Sequence, residues 1–250
     1  MSMHMHNIDE EWEKFISYSA NQEEEDEYEC DSEYDESIES AAYLSKDVVD
    51  MNHVPESSNI YISTKTKIAY LNTSVDLKNI FWNVDIIHYT MPTNGVVKKQ
   101  IKFNSNSQEE LEMIQSKLKD AFYFEEHVIT HIDNPTGRIK FKDVRKVSIG
   151  ISKKDIMRYR CKKKSAFYNC FVLILRLKVN DEFKEFHVKV FNTGKIEIPG
   201  IQSDDTFELI LQEILHILKP HISPDLDYKA NTNETVLINS NFNCGYFINR

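Results

Sequence analysis

Phe171–Val179 (FVLILRLKV), Glu185–Phe191 (EFHVKVF) and Gly194–Ile201 (GKIEIPGI) decide the fold. Each run is rich in β-branched and aromatic residues, and short polar connections separate them, the second being Asn192-Thr193-Gly194. This predicts three consecutive strands. Alternation in the middle run places Phe186, Val188 and Val190 on one face and His187, Lys189 and Phe191 on the other. Ser203, Asp204 and Asp205 then open a helix whose apolar positions Phe207, Ile210, Leu211, Ile214, Leu215 and Leu218 form one stripe. Pro220 is expected to stop it.

Towards the N-terminus, Ile60, Ile62, Ile68, Tyr70 and Leu71 lie in a Thr-rich run that reads as a long strand. Ser74 and Asp76 offer N-cap chemistry for a short helix, DLKNIFWNV. Residues 85–91 and 96–103 read as strands joined by Pro92-Thr93-Asn94-Gly95. Ser107 and Glu110 form a capping box before Leu111, Ile114 and Leu118. Residues 127–132 read as a strand, Asn134-Pro135-Thr136-Gly137 as a turn, and Ser152 as the N-cap of a helix from Lys153 to about Lys163. After a polar linker, TVLINSNFNCGYFIN begins another strand. It either pairs back onto the same sheet or marks a chain cut before a further unit, and the second is the expectation.

The 250 residues carry a net charge of −10. From Met1 to Ser57 there are 18 acidic side chains against Lys14 and Lys46, so the remainder has an excess of cations. Residues 1–56 are expected to be an acidic, largely disordered tail, because dense like charge with few aliphatic side chains supports no core. The tail is either a solvated segment or one that occupies the protein's own nucleic-acid site. Between Arg138 and Lys164 lie 12 Lys and Arg against Asp143 and Asp155. The candidates there are Lys140, Lys142, Arg145, Lys153, Lys154, Arg158, Arg160, Lys162, Lys163 and Lys164. Their readings are a solvated face, a phosphate-binding insertion, or a docking site for RNA polymerase or an initiation factor, and density and sign favour phosphate.

Six glycines and six prolines exclude collagen-like and Pro/Gly-rich chains. No apolar run is long enough to span a bilayer, so no membrane partner is expected, and Met1–Glu10 has no h-region for secretion. The cysteines Cys30, Cys161, Cys170 and Cys244 form no CxxC pair, which fits reduced thiols. No G-x-G-x-x-G, Walker A, H-E-x-x-H or G-x-S-x-G occurs, so no catalytic residue and no cofactor is assigned. His127, His131 and Asp133 could share a strand face, but such histidines are usually surface groups, and no metal site is assigned.

Phe191-Asn192-Thr193-Gly194-Lys195, followed by Gly200 and an acid-started amphipathic helix, resembles the F-S-S-G-K-x-x-x-T-G-x-K-S-E segment of TATA-box-binding proteins. Val75-Asp76-Leu77-Lys78 resembles the L-D-L-K of their first helix. The wording is closer to the TATA-binding-protein-like proteins of large nucleocytoplasmic DNA viruses, through ISTKTKIAYLN (62–72), GVVKKQIKFNS (95–105), HIDNPTGRIKFKDVRKVSIGISKKDI (131–156), KSAFYNCF (164–171), HVKVFNTGKIEIPG (187–200) and VLINSNFNCGYFINR (236–250). The resemblance covers residues 58–250. It implies an α+β fold, a curved antiparallel sheet backed by helices that forms a half-saddle over 57–235 with a basic insertion at about 104–166, and 236–250 as the first strand of a possible second repeat. A second repeat or a dimer partner would complete the saddle.

The resemblance also implies a transcription initiation factor that wedges phenylalanines into the minor groove of A·T-rich double-stranded DNA and recruits a viral RNA polymerase. Its setting would be the host-cell cytoplasm, in a viral factory, or the virion. Phe191 falls on one wedge. An ungapped match puts Cys170 on the other, flanked by Phe167 and Phe171, with Phe171 preferred. Lys189 and Lys195 lie beside Phe191, Thr64 takes the place of a first-strand asparagine, and Asn239 or Asn241 supplies that of the next repeat. Pro199 replaces the family's threonine, which puts TATA-specific readout in doubt. The other reading is a protein-interaction module that keeps the fold and no longer binds DNA.

Overall fold

The computed structural model describes residues 56–157 and 169–246. Residues Ser57–Asn243 form one compact unit. Every described strand and helix belongs to it. The expected acidic tail falls almost wholly outside the described residues.

The elements run β1 (Tyr61–Tyr70), α1 (Leu77–Asn83), β2 (Gly95–Ser105), α2 (Gln108–Lys119), β3 (Phe124–Asp133), β4 (Phe141–Gly150), α3 (Lys153–Met157), β5 (Cys170–Val179), β6 (Glu182–Phe191), β7 (Lys195–Ile201), α4 (Asp204–Ile222) and β8 (Glu234–Asn241). The strands form one sheet in the order β3-β4-β2-β5-β6-β7-β1-β8, antiparallel throughout. The fold is α+β, an antiparallel sheet backed by helices. Register shifts in β1–β7, β1–β8, β2–β5 and β3–β4 bend the strands, as an extra residue on one side of a ladder does.

The core lies between the sheet and helices α1 and α4. Ala69, Phe103, Phe171, Leu173, Leu175, Val188, Val190, Ile196 and Ile198 meet Ile80 and Phe81 of α1 and Phe207, Ile210, Ile214 and Leu218 of α4. Phe81 packs edge-on against both Phe103 and Phe171. At about 25 cal/mol per Å² of apolar surface, this layer is the main stabilising term.

Each helix starts where its cap chemistry dictates. Asp76, rather than Ser74, caps α1 by accepting from the Asn79 amide at 3.1 Å. Ser107 accepts from the Glu110 amide, while Glu110 turns back to the Asn106 amide at 2.8 Å. Ser203 caps α4. Pro220 does not stop α4; it sits in the last turn, where it forgoes its own bond to the preceding turn and leaves the earlier turns intact, and the helix runs to Ile222.

A further expectation is corrected, since residues 85–91 are not a strand. Arg176 of β5 gathers the Tyr89, Met91 and Thr93 carbonyls, which turns the loop towards a guanidinium instead of a ladder. The expected turn at Gly194 is present, and it is tight for a physical reason. Its φ is +85°, and a Cβ there would stand 2.4 Å from the Thr73 carbonyl oxygen.

The stretch at about 104–166 supplies α2, β3, β4 and α3, and its hairpin extends the sheet beyond β2. The last strand pairs back onto the sheet: β8 lies antiparallel to β1, with its other edge free among the described strands.

Candidate nucleic-acid interface

Because strand side chains alternate, the register assigns every sheet residue to the helix-covered face or to the opposite face. The latter is open in that, among the described helices, only short α3 packs on it, although Ile68, Lys98, Lys102, Val144, Ser148, Cys170 and Glu197 on that side are buried. Cys170, Val172, Ile174 and Arg176 of β5 stand beside Phe191, Lys189, His187 and Glu185 of β6. Lys98, Gln100 and Lys102 of β2 continue this face, followed by Gly150, Ser148 and Lys146 of β4. On the other side it runs through Glu197 of β7, then Thr64 of β1 and Asn239 of β8. Lysines therefore recur across neighbouring strands, with Phe191 among them.

Phe191 is half-buried, and the Lys195 ammonium lies 5.3 Å from its ring centre. Lys189 and Lys195 both reach Glu197, at 2.8 and 3.4 Å. Burial opposes the charge on Glu197, but the hydrogen bonds and charges of the two lysines outweigh it and hold its carboxyl below the usual range. His187 is held down to about 4 by burial and then by Lys189, Lys146 and Lys154. Its ring is exposed to solvent, so the cations are the part of that cause with most weight. A neutral imidazole among lysines reports a positive local field.

One end of the open face is occupied. Short α3 lies there, with Lys98 paired to Asp155 at 2.7 Å and Glu185 accepting from the Lys153 amide at 2.9 Å. Asp155 also caps the turn by accepting from the Ser152 hydroxyl and amide. At the other end, Asn239 donates to the Thr64 hydroxyl at 3.0 Å, joining β8 to β1 through their side chains.

The sequence candidates separate sharply. Phe191, Lys189, Lys195, Thr64, Asn239 and Lys142 are on or beside the open face. Asn241 is exposed at the end of β8. Lys140 is exposed in the β3–β4 connection, and Lys153 and Lys154 are exposed on α3. Phe167, Arg158, Arg160, Lys162, Lys163 and Lys164 lie outside the described residues.

Two candidates are corrected. Phe171 points into the core with no exposed surface, because the β5 register gives the open-face position to Cys170. Burial pushes the Cys170 thiol up to about 12, so it behaves as a small apolar group. Arg145 faces the helix side, where Asp143 takes its Nε at 2.6 Å and one terminal nitrogen at 2.8 Å, and Glu126 takes the other at 2.8 Å. It is a buried structural cation, not a phosphate contact.

His127 and His131 do not share a face either. The extra residue between Val128 and Thr130 breaks their alternation, so His127 pairs with Lys146 and His131 bonds Asp143 at 2.9 Å. Among the described residues no cluster of three metal-binding side chains occurs.

Charge density along the chain does not single out Lys98 or Lys102. The alternation of VVKKQIKF holds the signal, obscured by Lys99 on the core face. Lys99 is satisfied there because its ammonium donates to the Val84 carbonyl at 2.6 Å and lies 5.2 Å from the Phe81 ring.

No family model matches the chain, and no curated protein matches it. Among solved structures, one described as Methanococcus jannaschii TBP is matched at 15% identity over 66% of this chain and 99% of that chain, with a TM-score of 0.16. A score that low carries no weight, and the chain's own geometry bears the functional argument.

Proposed function

We propose that this chain is a DNA-binding protein that lays the open face of its sheet on A·T-rich double-stranded DNA. One observation carries the reading: Lys102, Lys146, Lys189 and Phe191 share the side of the sheet opposite α1 and α4. Lysines there would neutralise phosphates, and Phe191 would wedge into a base step from the minor groove, where A·T-rich steps deform most readily. Thr64 and Asn239 would meet base edges between the phosphate contacts. The finer proposal, which rests on the sequence resemblance, is a transcription initiation factor of a large DNA virus. In that role the exposed lysines of α3 would serve RNA polymerase or a second initiation factor.

A protein-docking role is the alternative, and a specific observation favours it. Glu197 and Glu185 also lie on the open face, and Glu197 neutralises part of the charge of Lys189. Fluorescence anisotropy of the full chain against A·T-rich and G·C-rich duplexes across a salt series separates the two. The DNA reading requires tighter A·T binding, with affinity falling steeply as salt rises. No binding to either duplex at low salt would replace it with the docking reading.

A further inference from the structure

The two edges of the sheet differ in chemistry. The β3 edge carries Glu125, Glu126 and Asp133 with His127 and His131, and it is broken by an extra residue at Ile129. Charges and irregularity of this kind keep an edge from pairing with another chain. The β8 edge, ETVLINSN, has neither Lys, Arg nor Pro, and Glu234 is its one ionisable side chain. Its ladder with β1 shifts register at Val236 and again at Asn239–Ser240, where the extra residue, Ser63, lies on β1, so Leu237–Asn241 of β8 itself carries no extra residue. Val236 and Ile238 are half-exposed, and Ile62 of the adjoining β1 is equally open. Nothing among the described strands pairs with the outer side of β8.

We propose that β8 is the dimerisation edge of this protein and that its occupant is the β8 strand of a second copy, paired antiparallel across a twofold axis. The charge pattern selects a second copy. Antiparallel self-pairing carries Glu234 towards the uncharged Asn241 end of its mate, so no like charges meet. The same operation on β3 would carry Glu125 and Glu126 towards the Asp133 end of its mate, where a like charge waits. An isologous edge-to-edge join closes at two copies, because the other edge is the protected one. A twofold axis perpendicular to the sheet leaves both open faces on the same side, so one continuous surface results. The proposal does not depend on DNA binding, and its test contains no DNA.

Sedimentation equilibrium of the full chain over a wide concentration range is the experiment. The expected result is a monomer–dimer equilibrium weakened at least ten-fold by Ile238→Lys and left unchanged by Val128→Lys on the β3 edge. If Ile238→Lys lowers the melting temperature, Ser240→Lys at an exposed polar position repeats the measurement. A monomer at every concentration overturns the proposal. So does a dimer that the β8 variants leave intact, or one that Val128→Lys weakens equally.

Discussion

Asp143→Ala tests the assignment of Arg145 to the structure instead of to a ligand. The Asp143 carboxylate has no exposed surface and accepts two hydrogen bonds from Arg145 and one from His131. Removing it leaves a buried guanidinium whose one remaining anion is Glu126. Breaking such a pair costs about 3–5 kcal/mol, and the retained Glu126 partner places the expectation near the lower end. That is a large share of the about 5–15 kcal/mol that holds a domain folded. Urea denaturation at neutral pH reads it directly.

The pH dependence carries a second check. Burial opposes the Asp143 charge, but Arg145 and His131 outweigh it and hold the carboxyl below its usual range. As pH falls the unfolded chain takes up the proton first, so this contribution is present above the ordinary carboxylate pKa and is lost through the lower folded value. The gap between wild type and Asp143→Ala must therefore close in acid. Asp143→Leu combined with Arg145→Met should recover most of the loss, because an apolar pair of similar size avoids the desolvation cost. A loss below about 1 kcal/mol for Asp143→Ala, or a double variant no better than the single one, would refute the reasoning.

Other outcomes follow from the same geometry. Burial holds Lys99 down to about 8, so wild-type stability relative to Lys99→Met should climb between about pH 8 and the ordinary lysine pKa of 10.5, as the unfolded chain binds the extra proton there; a flat difference curve is the contrary result. Phe191→Ala should weaken A·T-rich duplex binding roughly ten-fold, equivalent to about 1.4 kcal/mol, and reduce bending while leaving the salt slope alone. Lys146→Gln with Lys189→Gln, or replacement of Lys162, Lys163 and Lys164, should flatten that slope by roughly one unit for each phosphate no longer neutralised. Deleting residues 1–56 removes 18 acidic side chains and two lysines, and binding to any duplex should tighten on charge alone. Arg176→Met should speed amide exchange across residues 89–94, measured against β5 as an internal reference.

Much of the fold was legible because its elements obey one local rule each. Period-two alternation assigns β6 to the correct faces, and cap residues locate α1, α2 and α4 within a residue or two. What failed was set by distant partners. The loop at 85–91 has strand-like composition, yet Arg176, more than eighty residues away, claims its carbonyls. Phe171 reads as a surface aromatic because a one-residue ambiguity in β5 exchanges the faces of the sheet. Only pairing with β6 resolves it.

The site was legible in kind but not in place, and the reason is how a sheet distributes charge. Sequence density selects residues 138–164, where cations crowd together, yet alternation sends Arg145 into the helix side and its neighbour Lys146 to the open face. Lys98, Lys102, Lys146 and Lys189 come from three strands separated by long intervals, and register alone makes them neighbours. A linear count weights Arg145 as heavily as Lys146, although Asp143 and Glu126 surround the first and a neutral His187 lies near the second. The two should therefore respond oppositely to mutation. Loss of Arg145 should reduce stability while leaving the duplex salt slope of the folded fraction intact, whereas loss of Lys146 should reduce the slope at unchanged stability. If Arg145→Met lowers the slope at full folding, the division of the sheet into a structural face and a binding face is wrong at β4, where register alone defines it.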